Sequence, residues 1–138
     1  MKHEEQTDVK QAMGSLVCEN LSDEKFCQFH RAVLELISTT IKGKTLFLPM
    51  DLYCQYKGFV DLSCKMFQNI KSNNRRDLPF ANLNDMYHCY RSQAETQYRI
   101  LCQLVVSAYQ KTTFPEERET LKNIINGIRQ IVEQTINR

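Results

Sequence analysis

The sequence predicts an all-α fold, a single-domain antiparallel bundle of about five amphipathic helices. Three observations carry this. Apolar residues recur at spacings of three and four along most of the chain, and no run alternates with period two for long enough to build a sheet. The 138 residues, 42% hydrophobic and 25% charged, form a chain long enough to bury roughly two thirds of its unfolded surface around one core. That composition excludes disorder, collagen-like repeats and disulfide miniproteins. The alternative architecture is a fragment of a helical-repeat array, which would expose one apolar face to a neighbouring repeat. No block of about 30 to 45 residues recurs to support it.

The first helix is expected over Glu4 to Cys18, with a thin stripe of Val9, Met13, Leu16 and Val17 softened by Gly14, so residues 1–20 are expected to pack loosely. Ser22 followed by Asp23 and Glu24 is an N-cap with acids in the first turn, where they complement the helix dipole. The second helix begins there. Its buried face is expected to carry Phe26, Phe29, Val33, Ile37 and Ile41, widened by Leu34 and Leu36, with Gly43 as the permissive C-terminal residue. Leu46-Phe47-Leu48 is expected to lie against the core, and Pro49 suits the first turn of a third helix. That helix runs to about Ser72, with Leu52, Tyr56, Phe59, Ser63, Met66, Phe67 and Ile70 on one face and Gly58 on the other, open to a close backbone approach.

Lys71 to Asp77 is the plainest loop. The fourth helix, Asn82 to Lys111, is expected to bury Leu83, Met86, Tyr87, Tyr90, Ala94, Tyr98, Leu101, Leu104, Val105 and Ala108, with Ser92 to Thr96 as the place where it would break. Pro115 and Glu116-Glu117 open the fifth, whose stripe is Leu121, Ile124, Ile125, Ile128, Ile131, Val132, Thr135 and Ile136.

The residues argue against catalysis. Gly14, Gly43, Gly58 and Gly127 are isolated, so there is no glycine-rich phosphate cradle, and neither a nucleophile elbow nor a zinc-protease helix occurs. Cys27-Gln28-Phe29-His30 and His88-Cys89 contain the residue types of a zinc site. Adjacent helical residues point about 100° apart, however, and packed thiols with a core imidazole explain both better. No catalytic residue, metal or cofactor is assigned, and the chain reads as non-enzymatic.

A net charge of +2 implies no polyanionic partner by itself. The distribution is uneven. Residues 1–35 hold seven acids (Glu4, Glu5, Asp8, Glu19, Asp23, Glu24, Glu35) against four bases (Lys2, Lys10, Lys25, Arg31), and the basic excess lies later. Lys71, Arg75 and Arg76 are the expected contact for another protein's acidic segment. Asp77 and the lack of an aromatic series beside them weigh against nucleic acid. Ile100 and Val106, apolar positions off the main stripe of the fourth helix, are the other candidate surface.

The longest nearly apolar stretch, Leu101 to Tyr109, is far short of the roughly 20 residues of a membrane span, and the N-terminal residues lack an apolar leader, so no membrane association is expected. Cys54 and Cys64, and Cys89 and Cys102, fall on single helices at separations of roughly 15 to 20 Å, beyond disulfide reach. The reading is a cytoplasmic or nuclear adaptor or scaffold domain that holds a partner segment on a helix face or in a groove. Its alternative is a secreted, cytokine-like signalling protein with disulfides between helices and a glycan at Asn20-Leu21-Ser22.

The regular stripe of the fifth helix makes Ile128→Asp the sharpest test of the core, because it buries an unpaired carboxylate at a cost of several kcal/mol (about 2 or more). Thermal denaturation should show a large fall in Tm. An unchanged midpoint would place this helix outside the core.

Overall fold

The computed structural model describes residues 14, 16–43, 50–72 and 80–136, without the side chains of residues 80 and 81. Among the described residues every regular element is helical: α1 (Asp23–Ile41), α2 (Met50–Ser72), α3 (Phe80–Lys111) and α4 (Pro115–Ile136). The expected first helix, Glu4 to Cys18, lies mostly outside the described residues, and what is described shows helical backbone at Gly14 and Leu16 and none from Val17 to Glu19. Leu46-Phe47-Leu48, Pro49 and the loop from Asn73 also lie outside them.

The helix ends follow local chemistry. The Lys25 backbone N–H donates to Ser22 Oγ at 3.2 Å, capping α1 as expected. Gly43 takes a φ of +74°, a conformation that costs glycine nothing. Asn20, at φ +60°, is a residue that tolerates this region, and it turns the chain into the cap. Pro115 is the first residue of α4, and the Arg118 N–H donates back to the Phe114 carbonyl at 2.9 Å. α3 continues unbroken through Ser92 to Thr96, so its 32 residues extend about 48 Å.

The helices divide into two compact units. One contains α2 and α3 as far as Tyr98; the other contains α1, α3 from Arg99 and α4. In the first, α2 and α3 run antiparallel, joined by Tyr56 with Tyr98 (5.9 Å between ring centroids), Phe59 with Tyr90 (6.2 Å) and Phe67 with Tyr87 (6.0 Å). Val60, Ser63, Cys64 and Ala94 are buried among these rings, and the Ser63 hydroxyl donates to the Phe59 carbonyl at 2.7 Å. Gly58 lies exposed with no neighbouring atom near its Cβ position, so the close approach expected there does not occur.

In the second unit α1 packs directly and antiparallel against α4. Phe26, Phe29, Val33, Leu34 and Ile37 of α1 are buried, as are Leu121, Ile124, Ile125, Ile128 and Val132 of α4, in accord with both expected stripes. Leu16 is buried as well. Ile136, placed on the stripe by its spacing, is exposed because α4 ends there. Lys25 Nζ donates to the Thr135 carbonyl at 3.3 Å, closing one of the last carbonyls of α4.

The tightest point is Gly127. A Cβ placed there would meet Leu36 Cδ2 at 2.5 Å and Cδ1 at 2.7 Å. A mid-helix glycine costs about 1 kcal/mol relative to alanine, and the space it leaves is what Leu36 fills. Gly127→Ala in a Leu36→Ala background should therefore gain about 1 kcal/mol from helix propensity alone. In the wild-type background, displacement of Leu36 should cancel or reverse the gain. Urea denaturation of all four proteins measures the coupling, and simple additivity would remove Leu36 as the reason for Gly127.

Candidate functional site

Of the residues singled out in the sequence, Lys71 belongs to the first unit and Ile100 and Val106 to the second. Arg75 and Arg76 lie outside the described residues. Lys71 is exposed at the end of α2, its Nζ 6.0 Å from the Phe67 ring centroid. Ile100 is 40% exposed on α3, one turn from Leu104 at 41%, an apolar pair facing solvent.

Val106 corrects the expectation of an exposed apolar position, for it is only 2% exposed. Six residues separate it from Ile100, which sets the two about 120° apart around the helix axis. The reason is the position of α4. After a three-residue link, Thr112 to Phe114, α4 folds back beside α3 and brings Ile125 to the side carrying Val106. The buried arc of this part of α3 is Leu101, Cys102, Val105 and Val106, and Leu104, expected in the core, is displaced from it. Met86, also expected in the core, is exposed on the same helical line as Leu104.

The return of α4 creates an open groove of about 300 Å³. Val106, Tyr109 and Gln110 line it from α3, and Lys122, Ile125, Asn126 and Arg129 from α4. Val106 and Ile125 are buried and give it an apolar floor. Lys122, Arg129, Gln110 and Asn126 are exposed along its edges. Among the described residues its lining holds two cations and no carboxylate.

The end of the groove is held by Arg118. Its guanidinium carbon stands 4.4 Å from the Tyr109 ring centroid and its Nη1 donates to the Tyr109 carbonyl at 2.9 Å, so one side chain stacks on the ring and ties α4 to the end of α3. Arg91, by contrast, is committed within α3. Its burial opposes the charged form, but hydrogen bonds to the Tyr87 hydroxyl at 3.3 Å and Glu95 Oε1 at 3.1 Å outweigh that and raise its pKa. Arg99 pairs with Glu19 at 3.1 Å on the surface, an exposed contact of small energetic value.

Among the described residues the histidines and cysteines form no reactive set. His30 is buried between the rings of Phe26 and Phe29, at 4.5 and 5.0 Å, and Cys27 is buried beside it on α1. His88 and Cys89 are exposed on α3. Among the described residues no three of His, Cys, Asp or Glu stand together to hold a metal. Burial pushes the Cys18 thiol up, against the lowering influence of Lys25, which leaves it a poor nucleophile at neutral pH. A smaller hollow of about 170 Å³ between α1 and the end of α4 is lined by Lys25 and Thr135, which are already bonded to one another.

Of the groove residues the sequence reading named Val106 as a candidate surface position and Ile125 as part of the core stripe. Lys122 and Arg129, seven positions apart, do announce a common helix line on α4. What brings Tyr109 and Gln110 beside that line is the fold-back of α4, which spacing alone does not reveal.

The chain matches no protein-family model, no curated protein and no solved structure. Among the described residues no helix is long and apolar enough to cross a membrane.

Proposed function

We infer that this chain is a protein-interaction module of the adaptor or scaffold kind, with no catalysis of its own, that holds a segment of another protein between α3 and α4. The observation that carries the reading is the groove itself, with an apolar floor at Val106 and Ile125 and cationic edges at Lys122 and Arg129. Desolvated apolar contact supplies affinity in such a site, and edge charges supply orientation and encounter rate. The partner chemistry is the acidic segment expected from the sequence, for which Lys122 is a cation at the groove edge, and the contact at Lys71, Arg75 and Arg76 stands as part of the same proposal.

The test is affinity purification with mass spectrometry from cells, comparing the wild type with Lys122→Glu/Arg129→Glu. Both positions are exposed, so the double variant should keep its Tm while losing a protein that the wild type retains. Identical recoveries would overturn the reading.

The cytoplasmic or nuclear setting belongs to the same proposal and is tested apart from it. Protein purified without reductant should show six reactive thiols in denaturant. Fewer would favour the secreted signalling protein.

A further inference from the structure

The outer face of α2 carries an order of residues that its packing against α3 does not use. At about 100° per residue, Asp51, Cys54, Gly58, Leu62 and Lys65 fall within about 40° of one line, and all five are exposed. Leu62, 42% exposed, is a large apolar side chain one turn from a glycine. A Cβ added at Gly58 would meet no atom within 4 Å. Among the described residues, therefore, no contact accounts for a mid-helix glycine that costs about 1 kcal/mol relative to alanine.

This face is also its own complement. Cys54 and Leu62 stand four residues to either side of Gly58, and Asp51 and Lys65 stand seven residues to either side. Among the described residues neither Asp51 nor Lys65 is in an ion pair.

We propose that the occupant of this face is a second copy of the chain, the two α2 helices packing antiparallel about a two-fold axis at Gly58. Residues equally far from Gly58 on opposite sides then share a level. Asp51 of each copy meets Lys65 of the other, and Cys54 meets Leu62, so one surface patch serves both partners. A parallel pair would set Asp51 beside Asp51 and Lys65 beside Lys65, which like charge opposes. The bare backbone at Gly58 lets the two axes approach to about 8 Å, the close end of helix packing. Lys57 and Asp61, one turn apart at the flank and opposite in sign, add no net charge to the contact. From Asp51 to Lys65 the face is about 21 Å long. An interface of that size gives a weak, reversible dimer, in which the exposed ion pairs fix register more than affinity. The proposal stands apart from the groove between α3 and α4 and needs nothing from it.

The test is sedimentation equilibrium of the full chain from micromolar to millimolar concentration. The wild type should pass from monomer to dimer. Gly58→Leu should weaken dimerisation at least about tenfold by forcing the axes apart. Its Tm should hold or rise, since the new side chain meets nothing within the monomer. Asp51→Lys and Lys65→Asp should each weaken the dimer several-fold at low salt, and the double variant should restore it. A cross-link reads the register. With Cys89→Ser to remove the other exposed thiol, Leu62→Cys under mild oxidation should give a dimer bridged between position 62 and Cys54 of the other copy. Within one helix these positions are about 12 Å apart, beyond disulfide reach. A monomer at every concentration would overturn the proposal. So would a dimer indifferent to Gly58→Leu, a charge swap that fails to restore association, or bridges joining Cys54 to Cys54.

Discussion

The close approach of α1 to α4 at Gly127 is the constraint on which the second unit depends. α4 is apolar over an unusually wide arc, from the line of Gly127 and Thr120 through Ile124 and Ile128 to Ile125. Its two edges serve different neighbours. The Gly127 edge receives Leu36 of α1, and the Ile125 edge forms the floor beside Val106 of α3. Because a helix turns as a rigid cylinder, seating Leu36 at one edge sets the rotation that carries Lys122 and Arg129 to the rim at the other. A methyl group at Gly127 would act on the groove without touching it.

The sequence was legible wherever a decision is made locally. Ser22 caps α1, Gly43 follows it, and Pro115 opens α4, since each answers to the backbone within a turn of itself. The stripe of α4 was legible too, its apolar residues being regular enough to leave one choice of face. α3 was different. Its apolar residues surround much of the helix, and their spacing alone does not reveal that Val106 is buried while Leu104 and Met86 face water. The packing role of Gly127 was not legible, because the benefit of a missing side chain resides in Leu36, some ninety positions away in sequence. The groove shares that origin, since five of its seven lining residues are polar or aromatic positions that no core pattern selects.

Two of the described cations are held by contacts within the molecule. Arg91 is held by Tyr87 and Glu95 within its own helix, and Arg118 is spent on the Tyr109 ring and carbonyl, where it braces the link between α3 and α4. Both act as structural pins. Lys122 stands exposed at a groove edge lined by amides and apolar carbon.

The six cysteines are distributed in a way that would make their thiols a probe of opening. Cys54 and Cys89 are exposed and would react with an alkylating reagent at once. Cys64 is buried in one unit, and Cys27 and Cys102 are buried in the other, so each reacts only when its own surroundings come apart. Modification rates at these three thiols would separate the breathing of the aromatic hairpin from that of the three-helix unit. They would report whether the two share a single cooperative transition or melt as independent foldons, without any label added to the molecule.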